Sequence, residues 1–235
     1  MNILAIGAHP DDNEMFCAGT LALYSKLGHK VYMYHATDGD KGGMGNRTCE
    51  EIRKERRESS INAAKIINAV SLGGDFDDGE IVVDLKSRLI ITDVIRKCNP
   101  DVIFTHYPLD YHTDHINISK LVFEASFMAS IQKLKTKYKA LNKFPILYYF
   151  DTVCGIDFIP KDYVDISKVM SLKLKMYSLH KSTLNFNKEL HDGIDLMDMV
   201  EVTSKYRGYQ CNTKYAEGFI QKIVWSVGST KRILP

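Results

Sequence analysis

The chain has 235 residues, 45% of them apolar and 26% charged, with a formal net charge of +2. That balance describes one globular domain, spanning 1–235, with enough length to bury a core. It carries no charge excess that would imply a nucleic-acid surface. Five scattered cysteines form no disulfide framework and no CxxC pair, which predicts a reducing, cytoplasmic setting. No basic leader with a cleavage pattern opens the chain, and no apolar run approaches the ~20 residues that span a bilayer.

In chain order, "NILAIGA" (Asn2 to Ala8) is a continuous apolar run that stops in a turn-like cluster, the pattern of a buried parallel strand. A helix is predicted from Gly19 to Leu27, closed by Gly28. "KVYMYHATDG" (Lys30 to Gly39) is a second strand, rich in β-formers, and "GDKGGMGN" (Gly39 to Asn46) a glycine-rich loop. A charged helix follows from Glu50 to Asn68, then a weaker third strand, "AVSLGG" (Ala69 to Gly74). Asp84 to Cys98 reads as a helix stopped by Asn99-Pro100, and "DVIFTH" (Asp101 to His106) as the fourth strand. Ile118, Leu121, Val122, Ala125 and Met128 recur at helical spacing, and "KLKTKYK" (Lys133 to Lys139) reads as a solvated helix face. "ILYYF" (Ile146 to Phe150) is a fifth strand, and Ser167 to Leu179 a further helix. Lys181 to Pro235 carries no clear periodicity.

Strands alternating with helices predict an α/β fold, a Rossmann-like three-layer sandwich on a mostly parallel sheet. In the common 3-2-1-4-5 strand order, the loops after strands one and four flank the crevice where such folds bind ligands. That order would bring "HPDD", with His9, Asp11 and Asp12, beside "HYPLDYHTDH", with His106, Asp110, His112, Asp114 and His115. Neighbouring carboxylates repel and are costly to bury. A divalent metal held by two imidazoles and a carboxylate would compensate them and leave a position open for water. Thr113 is the expected N-cap of the helix that carries His115; the positive helix end there would keep that ring neutral and able to ligate. His35 is expected to be a hydrogen-bonded strand histidine, and His106 either lines the site or closes its strand. The glycine loop lacks a Walker lysine-serine ending and the first βα turn lacks GxGxxG, so neither nucleotide motif is present. Two rival readings stay open: a non-haem iron oxygenase with a His/Asp/His triad, and a non-catalytic sugar- or metal-binding module.

"AHPDDNE" after the first strand, "TDGDKGG" after the second and "PDVIFTHYPLDYHTDH" around the fourth resemble the LmbE/PIG-L family of zinc-dependent N-deacetylases. "YFDTVCGIDF" and "YRGYQCNTKYAEGF" are similar to further family segments, so the likeness spans nearly the whole chain. The resemblance implies removal of acetyl from an N-acetylglucosamine-type substrate, releasing acetate and a free amine. It implies one Zn2+ per chain on His9, Asp12 and His115, with Fe2+ as the alternative metal. Asp11 would be the general base. His112 would polarise the carbonyl, with Asp114 behind it. Arg53 would contact the sugar, Arg56 and Arg57 being the alternatives in the same helix, and Asp110 would be a second substrate contact. Where many relatives read H-x-S-Q, this chain has His180-Lys181-Ser182-Thr183. The resemblance further implies a homo-oligomer acting on a small N-acetylated sugar or glycoconjugate.

Overall fold

The computed structural model describes residues 1–43 and 45–225; Met44 of the glycine loop and residues 226–235 of the C-terminal stretch lie outside the described residues. One sheet of seven strands organises the chain, in the order β3-β2-β1-β4-β5-β7-β6. Strands β1 (Asn2–Gly7), β2 (Lys30–Thr37), β3 (Val70–Phe76), β4 (Val102–Thr105) and β5 (Ile146–Phe150) are mutually parallel, as the alternating pattern predicts. Beyond β5, strand β7 (Ala216–Gln221) runs antiparallel to both β5 and β6 (Asp162–Asp165).

The central strand shows why the sheet is buried on both faces. Side chains alternate along a strand, so Ile3 and Ala5 join one core and Leu4 and Ile6 the other, all fully buried. The first core is closed by helices α1 (Asp12–Lys26), α2 (Cys49–Ile66) and α5 (Met170–Tyr177), through Leu21, Ala63 and Met176 among others. The second is closed by α3 (Leu85–Cys98) and α4 (Thr113–Met128), through Ile91, Ile95, Ile118 and Leu121. Each such aliphatic side chain contributes about 1.5–3 kcal/mol by leaving water. Local signals set the helix ends. Thr48 and Glu51 form a reciprocal capping box on α2, Asp84 caps α3 through Ser87 N, and Asn99 ends α3 in a left-handed conformation.

Four expectations are corrected. Helix α1 begins at Asp12 rather than Gly19, so the acids of "HPDDNE" form its first turn. Helix α5 is confined to Met170–Tyr177. The C-terminal stretch contains α6 (Lys181–Leu190), α7 (Leu196–Gln210) and β7. "KLKTKYK" is not helical. Instead the buried guanidinium of Arg96 gathers this loop, donating to the carbonyls of Ala129, Ile131, Leu134 and Tyr138 and to Thr136 Oγ1. Loop carbonyls that a helix would have satisfied internally are satisfied by one side chain.

Candidate metal centre

The loops after β1 and β4 meet at the C-terminal edge of the sheet. Gly7 ends β1 where a Cβ would lie 2.7 Å from the Cβ of Asp12, so only glycine lets α1 turn back this closely. Asp11 is the N-cap of α1 at φ 118°, a backbone state that costs a non-glycine residue about 1–3 kcal/mol. Asp12 and Glu14 follow in the first turn, where the positive helix end favours acids.

His9, Asp12 and His115 converge. Asp12 Oδ2 lies 3.6 Å from His9 Nδ1, and Asp12 Oδ1 lies 3.5 Å from His115 Nε2. Each spacing is close to that of two donors on one ion bound at about 2.0–2.2 Å, with one Asp12 oxygen toward each ring. Both imidazoles are held from behind. His115 Nδ1 is 3.1 Å from Asp110 Oδ2, and His9 Nε2 is 3.2 Å from both Asp114 Oδ2 and Asp78 Oδ1. A carboxylate behind a ligating histidine fixes the ring and its tautomer, so the donor set and its support suit a divalent metal. Asp12 is braced as well, its Oδ2 accepting from His9 N at 2.6 Å and lying 3.0 Å from His106 Nε2. His106 is thus fully buried behind the cluster and faces Asp12. Among the described residues, the sets whose donor atoms all lie within 4.8 Å of one another are His9, His112 and His115; Asp12, His106 and His115; and His9, Asp78 and Asp114. His9, Asp12 and His115 therefore each belong to such a set, and the three are linked through the Asp12 carboxylate.

The two adjacent acids are driven apart electrostatically. Burial and the neighbouring Asp12 charge push the Asp11 carboxyl up to about 7. Burial works against ionisation of Asp12 too, but His115 and His106 outweigh it and hold Asp12 well below the carboxylate range. One acid is therefore a permanent anion and the other is poised near neutrality, the pattern expected of a ligand beside a base. For His9, burial opposes the charge, but Asp114, Asp12 and Asp78 outweigh it and raise the ring well above its ordinary value. Burial, then the neighbouring His106, lowers His115 below its ordinary value.

His112, not Thr113, caps α4: its Nδ1 accepts from Asp114 N at 3.2 Å. The neutral ring therefore carries its proton on Nε2, and burial lowers its pKa. The expectation that Asp114 backs His112 is corrected, because the Asp114 carboxylate meets His9 and the N–H of Gly79. Asp110 is engaged by His115 and by the N–H of His112. Arg53 stands at the rim, half-exposed, paired with Asp40 at 2.7 Å and Glu50 at 3.3 Å. Arg56 is buried beneath the glycine loop, donates to Gly42 O at 2.6 Å, has no partner for Nε among the described residues, and lies near enough to favour the Asp11 anion. Behind Asp11, Glu14 is fully buried between His35 Nε2 and His180 Nε2, each at 3.3 Å, which gives His35 its expected partner. Sequence reasoning assigned nothing to Asp78, which arrives from the third loop with no motif beyond a run of acids.

Residues 4–126 match the family described as PIG-L, GlcNAc-PI de-N-acetylase. The chain is 27% identical over 228 residues to a diacetylchitobiose deacetylase of Thermococcus kodakarensis, covering 92% of this chain and 81% of that protein. It is 25% identical over 181 residues to a 4-oxalmesaconate hydratase of Pseudomonas putida, covering 72% and 69%. The crystal structure of the 4-carboxy-2-hydroxymuconate hydratase of Pseudomonas putida superposes with a TM-score of 0.84 at 22% identity over all of both chains. With its α/β sheet, its AHPDD loop and its family match over more than half its length, this chain belongs to the PIG-L (LmbE-like) family.

Proposed function

We propose that the protein is a zinc-dependent hydrolase that removes the acetyl group from an N-acetylated amino sugar of the N-acetylglucosamine type. The products are acetate and a free amine. The observation that carries this reading is the split pair: Asp12 is an anion between two histidines, and Asp11 beside it is pushed up to about 7. The family and the diacetylchitobiose deacetylase support the substrate class.

His9, Asp12 and His115 would hold the metal. When bound, zinc supplies a Lewis acid that lowers the pKa of a water toward ~7 and polarises a carbonyl. Asp11 has the proton affinity to act as general base at neutral pH and takes a proton from the attacking water. His112 has Nε2–H free to donate, because Asp114 N already binds its Nδ1. That N–H stabilises negative charge developing on the acetamide oxygen. Asp11 then returns its proton to the departing nitrogen. Asp110, Asp114 and Asp78 act through the histidines they face. Arg56 has its guanidinium buried near Asp11 and is the first choice for a substrate-facing cation, with Arg53 at the rim.

The test is a panel of N-acetylated amino sugars incubated with metal-free and zinc-loaded protein, with acetate and amine quantified. Zinc-dependent acetate release in stoichiometry with amine supports the reading. The hydratase relatives favour one rival, addition of water to a carbon–carbon double bond. Consumption of an unsaturated tricarboxylate of the kind for which the hydratases are named, with no acetate from any sugar, would establish it instead.

A further inference from the structure

The loop after β3, "DDGE" (Asp77 to Glu80), is the third side of the cluster. Its Asp78 uses both carboxylate oxygens. Oδ1 lies 3.2 Å from His9 Nε2, and Oδ2 accepts the N–H of Lys41 at 3.1 Å. The Asp78 carbonyl accepts Lys41 Nζ at 2.6 Å, and the same ammonium pairs with Glu80. Gly79 adopts φ 74°, a left-handed state that favours glycine. That turn sends its N–H to Asp114 Oδ2 at 2.8 Å, so the loop is tied to α4 as well.

Two carboxylates thus face one ring nitrogen of His9, and they differ in what stands behind them. Asp114 belongs to the first turn of α4 and is fixed by that helix. Asp78 is fixed by Lys41, a residue of the glycine loop. The same loop contributes Asp40, which holds Arg53, and the Gly42 carbonyl, which holds Arg56. A solvated turn aspartate would need neither contact, yet the Asp78 side chain is only 13% exposed.

We propose that Asp78 is a positioning residue for His9, and that through the Lys41 ammonium on its own carbonyl it couples the glycine loop to the metal ligand. Movement of the loop when a substrate engages the α2 arginines that it holds is transmitted to the orientation of the His9 ring. The proposal rests on the zinc-hydrolase reading for its metal, though its readouts do not depend on acetate release.

The experiment compares wild type, Asp78→Asn and Lys41→Ala. Zinc affinity is measured by competition with a chromophoric chelator, and the cobalt-substituted proteins are examined by visible absorption. Circular dichroism and melting of the metal-free forms report folding. Asp78→Asn is expected to weaken zinc binding about tenfold, the lower end for loss of a carboxylate behind a metal-ligating histidine. It should also shift the cobalt absorption bands, with the metal-free melt unchanged. Lys41→Ala alters a half-exposed side chain that touches no histidine, so folding is expected to survive even if Asp78→Asn unfolds. It should reproduce part of the cobalt shift, with about a twofold to threefold loss of zinc affinity. Wild-type affinity and bands in Asp78→Asn would overturn the positioning role. Lys41→Ala keeps the backbone N–H on Asp78 Oδ2 and removes only the ammonium, so a shift in Asp78→Asn with none in Lys41→Ala would overturn the coupling through that ammonium. If wild type binds no zinc, both this proposal and the hydrolase reading fail. If the expected shifts appear but no sugar yields acetate, the hydrolase reading alone fails.

Discussion

Replacing Asp11 by asparagine is expected to stabilise the metal-free protein at alkaline pH while destroying its activity. The Asp11 carboxyl is pushed from an ordinary 3.8 up to about 7, chiefly by burial and then by the charge of Asp12. A raised folded-state value means that the folded protein resists losing this proton while the unfolded chain loses it freely. Below about pH 4 both states are protonated and nothing is lost; the penalty grows through pH 4–7 and is full above it. A rise of that size corresponds to a ceiling of about 4 kcal/mol. The site relaxes around the charge, so a realised gain of about 1–2 kcal/mol is expected. For a chain of this size that raises Tm by about 3–6 °C. Asparagine keeps the shape and tolerates positive φ better than most residues. The assay is thermal melting of chelator-treated wild type and variant at pH 5 and pH 8. The gain should be clear at pH 8 and shrink toward pH 5. Turnover of zinc-loaded Asp11→Asn should fall roughly 10²–10⁴-fold, the contribution of a positioned base. A variant that melts at or below wild type at pH 8, or whose gain ignores pH, would refute the buried, proton-holding Asp11.

Asp12→Asn should lose zinc because the ligand charge is gone, and added zinc should partly restore activity, whereas excess zinc should leave Asp11→Asn inactive; both are read as acetate release against metal content. His115→Ala should be purified with strongly reduced metal by elemental analysis, and full occupancy would remove it from the ligand set. Arg56→Ala should raise KM or lower kcat/KM more than Arg53→Ala, with metal content unchanged, since Arg56 is the buried guanidinium near Asp11. Far from this chemistry, Glu217 accepts the N–H groups of Gly19 and Thr20 within α1 and pairs with buried Lys173 at 2.6 Å. Glu217→Ala should therefore destabilise the fold by about 3–5 kcal/mol in chemical denaturation, the cost of leaving a buried charge unpaired.

The parallel half of the sheet is legible in the sequence because each of its strands is a short apolar run ending in turn residues, as "NILAIG" and "VIFT" illustrate. The start of helix α1 is not, because Asn13 and Glu14 are fully buried polar residues, so its first turn shows no apolar stripe. Strand β7 is hidden for a related reason: "AEGFIQ" carries a buried glutamate that serves α1 and Lys173 rather than solvent. Of the site, His9, Asp11, Asp12, His112 and His115 announce themselves through two motifs on adjacent loops. Which ring each supporting carboxylate serves is not announced there. Asp114 reaches His9 instead of the neighbouring His112, and Asp78 reaches it from a third loop. Both depend on how three loops pack, which residue spacing does not encode.

Hydrolytic removal of acetyl is tested most directly by zinc-dependent turnover of an N-acetylated amino sugar in ¹⁸O-labelled water, with both products weighed by mass spectrometry. A metal-activated water attacking the acetamide should leave one ¹⁸O atom in the released acetate, none in the amino sugar, and one amine freed per acetate. Label appearing in an intact, hydrated product, or no acetate from any N-acetylated sugar at full zinc occupancy, would contradict it.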